Sequence, residues 1–283
     1  MSPPPLRRLL QLALAFACAG LSPLLADTPP AGASPITAAW QDASVGLFND
    51  SRLAFEKLEG ADARYGQALT LLMRQPKTAG NVDRAAAMLS ELIVAHPDSE
   101  TAISARYHLG RIEQTHRITP NPVAARQIFK TLIAAHPAHP YAEQAVVKLA
   151  IIDLYENIPD HTRRERLDAY VTQAATLIDP VARRDLHLLL ADTAQRFDYP
   201  PSLALALLIR ADQDGIASRT EQASLWVRIG FIASETERPD TARQYFEQFL
   251  ANYPRDNRRL TVEERLASLP APTAKTTSTE PTQ

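Results

Sequence analysis

Along the chain, apolar residues recur at three- and four-residue steps, and proline separates one such run from the next. Leu89, Leu92 and Ile93 make one stripe; Phe129, Leu132 and Ile133 another; Leu186, Leu189 and Leu190 a third. That spacing puts a run of apolar side chains on one face of a helix. Prolines stand at 76, 97, 120, 122, 137, 140, 159, 180, 200, 201, 239, 254 and 270, and Gly215 fills the wide gap. Proline is excluded from helix interiors but fits the first turn and the residues just past the end. Each interval therefore predicts one helix. About twelve are expected, near 42–58, 61–75, 81–95, 99–117, 122–136, 140–157, 161–178, 180–197, 201–214, 218–237, 239–253 and 258–268. Asn121-Pro122 and Asp179-Pro180 each place a capping side chain before a first-turn proline. Thr162 with Glu165, Ser218 with Glu221 and Thr261 with Glu264 fit the reciprocal capping pattern.

Three of these helices are copies of one another. Ala85, Leu89, Leu92 and Pro97 recur at the same spacing as Ala125, Phe129, Leu132 and Pro137, and again as Ala242, Phe246, Phe249 and Pro254. The helices between them share an apolar–small pair: Leu109-Gly110, Leu149-Ala150, Leu190-Ala191 and Ile229-Gly230. A small residue there lets the next helix approach closely. With these residues the chain resembles the tetratricopeptide repeat family, whose unit of about 34 residues pairs two helices. Residues 223–256 match in frame through Trp226, Ile229, Gly230, Ala242, Phe246, Phe249 and Pro254; units from Ile103 and Glu143 match with short insertions. The units near 61–97 and 184–216 lack the aromatic anchors, and the latter also lacks the closing proline. The resemblance implies an all-α, right-handed superhelical solenoid of about five hairpins with flanking cap helices. Locally, AHPDSETAISARYHLGRI and AAHPAHPYAEQAVVKLAIIDLYE are similar to repeats of bacterial envelope proteins that act in outer-membrane assembly or with the Tol–Pal system.

The ends read differently. Residues 1–26 fit an export signal: Arg7 and Arg8, then apolar sequence to Ala26 before the charged Asp27. The rival readings are lipidation at Cys18, preceded by Ala15-Phe16-Ala17, and an uncleaved anchor. Residues 27–41 read as a flexible linker, 42–269 as the helical solenoid and 270–283 as a disordered tail. The protein is thus expected to be exported, periplasmic or envelope-associated, touching a membrane only through its N-terminus. Composition adds exclusions. Of 283 residues 45% are hydrophobic and 22% charged, with a net charge of −2, which argues against a strongly basic nucleic-acid binder.

Motifs for chemistry are few. No G-x-S-x-G, H-E-x-x-H, G-x4-G-K-[ST] or G-x-G-x-x-G occurs, so no enzyme and no cofactor are expected. Arg210 to Glu221 mimics a calcium loop through Asp212, Asp214, Gly215 and Glu221, but Arg210 stands where the first ligand belongs. Gly215 ending one helix and Ser218 capping the next account for the same residues. His96 and His136 share one repeat position before a proline, where an imidazole suits the helix C-terminus; no metal site is expected.

The expected function is a non-enzymatic scaffold that binds a protein or peptide; the alternative is an accessory module of a cell-wall-processing complex. In the family, the first helix of each unit lines the concave face. The matching positions are Tyr107, Arg111 and Gln114; Val147, Ile151 and Leu154; Leu188, Asp192 and Gln195; and Val227, Phe231 and Ser234. Only Arg111 among them is basic, which argues against an acidic C-terminal peptide. The expected partner groove is an apolar strip from Val147 to Phe231, suited to an apolar segment of a partner.

Overall fold

The computed structural model describes residues 34–216 and 218–271. The sequence readings at 1–26, 27–33 and 272–283 lie outside the described residues. Those described form thirteen α-helices and no strand. In chain order they are α1 (Pro35–Ser44), α2 (Phe48–Glu56), α3 (Ala61–Met73), α4 (Ala79–Ala95), α5 (Glu100–Arg111), α6 (Pro122–Ala135), α7 (Pro140–Tyr155), α8 (Asp160–Ala174), α9 (Pro180–Arg196), α10 (Pro201–Asp214), α11 (Arg219–Glu235), α12 (Pro239–Asn252) and α13 (Arg259–Ala267). A π-helical turn, Ile112–His116, prolongs α5.

Several ends form as their sequence dictates. Asn121 Oδ1 accepts from the Ala124 N–H at 3.1 Å, and the Asp179 carboxylate from the N–H groups of Val181 and Ala182 at 3.0 and 3.3 Å. Ser218 Oγ caps α11 through the Glu221 N–H at 3.4 Å. The three copied helices α4, α6 and α12 stop alike: His96, His136 and Tyr253 leave the helix with φ near −140°, −139° and −128°. Each donates its N–H one turn back, to Leu92, Leu132 and Phe249.

Three expectations change. The single helix near 42–58 is two helices, because Gly46 takes φ +87° between them, a conformation that glycine adopts without strain. Helical order also begins inside the stretch read as a linker. Ser34 caps α1 through the Thr37 N–H, Ala39 is fully buried, and Trp40 packs edge-on against Phe55 at 4.9 Å. Packing of these side chains outweighs a loop-like composition. Finally, Thr162 and Thr261 cap nothing: α8 starts at Asp160 and α13 at Arg259, which leaves both threonines inside the first turn.

The chain divides into two compact units, residues 1–168 with 176–182, and 169–175 with 183–283. In the first, each helix from α1 to α7 packs against the next. The odd-numbered helices α1, α3, α5 and α7 also touch one another in sequence, so they share one face. In the second unit α10, α11, α12 and α13 pack consecutively.

One contact recurs inside the hairpins. Gly110 on α5 faces the ring of Phe129 on α6, and Gly230 on α11 faces Phe246 on α12; an added Cβ would overlap either ring. The hairpin α3–α4 has Leu89 at the corresponding place in α4. There Gly66 receives the ring of Phe55 from the preceding helix α2 instead. All three phenylalanines are fully buried.

Buried charges fix α7 at both ends. Glu143, 2% exposed, accepts from the N–H groups of Ile178 (2.9 Å) and Asp179 (2.6 Å). Arg163 donates to the carbonyls of Leu154, Glu156 and Ile158, at 2.9, 3.3 and 3.3 Å, satisfying the last turn of α7. Beside it Arg126 pairs with Asp153 at 2.9 Å and Glu156 at 3.0 Å, joining α6 to α7.

Candidate functional site: an aromatic face

The shared face of the odd-numbered helices in the first unit carries a ladder of rings. Trp40 of α1 lies 6.2 Å from Tyr65 of α3, Tyr65 lies 5.8 Å from His108 of α5, and His108 lies 5.6 Å from Tyr141 of α7. His139, just before α7, stacks on Tyr141 at 5.9 Å and 19°. Each of the four ladder rings is partly buried. Below them Tyr107 bridges Phe129 and Tyr141, so the ladder rests on the packed interior. Phase explains the placement. Tyr65 precedes Gly66, and neighbouring residues on a helix are about 100° apart. The glycine faces the Phe55 ring, and the tyrosine is turned about 100° away from it, towards Trp40 and His108.

The electrostatics of the ladder differ from one side to the other. At the N-terminal ends of α3 and α5 stand Asp62 and Glu100, beside a cavity of about 320 Å³. Towards the C-terminal ends stand Arg111, His116 and Lys77, with Lys77 Nζ 3.2 Å from His116 Nδ1. Burial first, then Arg111 and His116, holds the His108 imidazole down to about 3. Its Nε2 is buried and meets no hydrogen-bond partner among the described residues. Burial, Lys77 and Arg111 likewise hold His116 down to about 4. Burial and the nearby Tyr141 push the Tyr65 phenol above its ordinary range. The face is therefore lined by neutral rings at physiological pH.

The residues expected to line a groove are placed unevenly. Tyr107, Val147 and Leu154 are core side chains, 5%, 5% and 0% exposed, and cannot meet a partner. Arg111 and Ile151 in the first unit are partly exposed, as are Leu188, Val227 and Phe231 in the second. Phe231 is already covered on two sides, edge-on by Phe246 at 5.5 Å and by the Arg265 guanidinium at 5.4 Å. Asp192, expected as a polar groove residue, pairs with Arg228 at 2.6 Å, and Arg228 also donates to Gln195. Transfer of repeat positions onto units of unequal length slips the phase, and a slip of one residue moves a side chain from the open side into the core. His108, next to Tyr107, was missed for that reason; Trp40 lay in the stretch read as a linker, and Tyr65 and Tyr141 lay outside the units onto which positions were transferred. The signal that finds Tyr65 and His108 is an aromatic ring one or two places before the small residue of α3 and α5.

The carboxylates of the calcium-like loop are engaged with protein donors. Asp212 accepts from Gln222 Nε2 at 2.6 Å, Trp226 Nε1 at 2.8 Å and Tyr245 Oη at 3.0 Å. Asp214 pairs with Arg183 at 2.6 Å and with His187 Nδ1 at 3.1 Å. These contacts tie α9 to α12 within the second unit, a structural use of both acids. No group of three or more metal-ligating residues occurs among the described residues.

Comparison with known proteins places this geometry. The family model of the tetratricopeptide repeat matches residues 62–99 and 225–256, the hairpins α3–α4 and α11–α12. The first of these is the hairpin that borrows its ring from α2. The chain matches no curated protein. Among solved structures it is similar to PilF of Pseudomonas aeruginosa, at 14% identity and a TM-score of 0.51, over 81% of this chain and 95% of that one. It is similar to PilW, a widely conserved type IV pilus biogenesis factor, at 17% identity and a TM-score of 0.50, over 81% and 96%. A thermophilic tetratricopeptide repeat protein of Thermus thermophilus aligns at 16% identity and a TM-score of 0.43, over 74% and 98%. The likeness to PilF and PilW shows the fold, an all-α array of hairpins of the tetratricopeptide type.

Proposed function

We propose that the chain is a non-enzymatic scaffold that holds a protein or peptide segment against the aromatic face of its first unit. The ladder from Trp40 to Tyr141 carries this reading. Rings fixed by packing on one side offer large contact area with little rotamer entropy left to lose on binding. His108 among them is held neutral chiefly by burial, which suits it to contact rather than to proton transfer near pH 7. Repeat arrays commonly bind partners over such extended surfaces.

The scaffold acts in the cell envelope. Arg7, Arg8 and the apolar stretch to Ala26 support export, with a mature start near Asp27. The fold likeness to PilF and to the pilus biogenesis factor PilW is compatible with that location.

The test is site-specific photo-crosslinking in cells, with a benzophenone amino acid in place of Tyr65 or of Val94. Val94 is 81% exposed on α4 and lies outside the ladder. The Tyr65 position gives a discrete adduct of higher mass and the Val94 position gives none. Adducts from Val94 alone, or from neither with the chain folded and exported, overturn the proposal.

A further inference from the structure

We infer that the cavity where α1, α3 and α5 meet takes an arginine or lysine side chain of the bound segment. The inference rests on the scaffold reading above and names the chemistry of one subsite. The cavity, about 320 Å³, is lined by Ile36, Trp40, Asp62, Tyr65, Glu100 and Ser104, together with Thr101. That is the low end of ligand-pocket volumes, suited to one long side chain and its hydration rather than a cofactor.

Charge points to a cation. In the same unit Glu56, Asp83, Glu91, Glu113, Asp153 and Glu156 each pair with an arginine of the chain. Asp62 and Glu100 pair with none among the described residues, as is also true of Asp42, Asp50, Glu59 and Asp98; what sets Asp62 and Glu100 apart is that both line one cavity. Asp62 accepts only the Thr101 hydroxyl, at 2.6 Å, and Glu100 only His139 Nε2, at 2.8 Å, among the described residues. Two carboxylates therefore border one concavity with no lysine or arginine in its lining. The floor agrees with the rim. Trp40 and Tyr65, 6.2 Å apart and tilted at 55°, both line the cavity. Tryptophan and tyrosine faces attract a guanidinium or ammonium, and more strongly where the cation is partly desolvated. The apolar stem of the same side chain would lie along Ile36. First-turn acids also favour a helix dipole, but a dipole role needs neither the rings nor the concavity.

The probe is the peptide acetyl-Gly-Ala-Leu-Arg-Leu-Ala-Gly-amide, with its neutral analogue carrying citrulline in place of arginine. Binding to the exported full chain is followed by NMR at the Trp40 indole N–H and the Thr101 and Ser104 amides. The arginine peptide shifts these signals saturably, and citrulline weakens binding at least tenfold. The double variant Asp62→Asn, Glu100→Gln loses the arginine preference while its thermal melt stays unchanged. Trp40 packs on Phe55, so the carboxylate variants rather than a tryptophan variant carry the test. Equal binding of the two peptides, no binding of either, or an arginine preference that survives the double variant overturns the inference. A Tyr65 adduct in cells without arginine preference overturns this subsite and leaves the scaffold. Arginine preference without a Tyr65 adduct overturns the scaffold and leaves the subsite.

Discussion

His108 couples protonation to folding at a single residue. Its ring lies against Tyr65, Tyr107 and Tyr141, and its Nε2 is buried and unbonded. The folded imidazole is held down to about 3 from an ordinary 6.5. Between these values the unfolded chain takes up a proton that the folded chain refuses, so stability falls as pH drops below 6.5. Each pH unit in that window costs about 1.4 kcal/mol, which makes the loss from His108 about 2 kcal/mol at pH 5. His116 adds to it in the same direction. Urea unfolding at pH 7 and pH 5 measures the difference, and His108→Leu should remove about 2 kcal/mol of it. Residue-level reading of the sequence succeeded where backbone geometry decides, as with His96 and His136 at helix ends. It failed at His108, whose ring partners Tyr65 and Tyr141 come from two other helices.

At the scale of elements, the glycine–phenylalanine contact sets how closely two helices approach. Ala is a better helix former than Gly by about 1 kcal/mol, so propensity alone makes Gly110→Ala stabilising. The new Cβ would overlap the Phe129 ring, which is fully buried and has nowhere to go. Overpacking costs about 1–3 kcal/mol and wins. Gly110→Ala should lower the melting temperature by circular dichroism, whereas Gly80→Ala, in open space on α4, should not. Helices were legible because proline, small residues and apolar steps all act within one element. The copied pattern of α4, α6 and α12 was legible for the same reason. Less legible were the break at Gly46, the start of α1, which Ser34 caps inside a stretch of loop-like composition, and the starts of α8 and α13, which lie ahead of Thr162 and Thr261. Glu143 and Arg163 were invisible as anchors, since their partners are backbone groups contributed by other segments.

At the scale of the molecule, repetition brings equivalent faces of α1, α3, α5 and α7 together, and that adjacency builds the ladder. The repeat architecture could be read from packing residues, because they recur. The binding surface could not be read by transfer of family positions. Tyr107 and His108 are neighbours in sequence, yet the first bridges core rings and the second joins the open row. The central claim is that this row, and not the outer surface of α4 or α6, receives the partner. Hydroxyl-radical footprinting of the chain with and without its cross-linked partner tests it most directly. The account predicts lowered oxidation of Trp40, Tyr65 and Tyr141 in the complex, with Val94 and Val123 unchanged. Protection of Val94 and Val123 with undiminished oxidation of the three rings would contradict it.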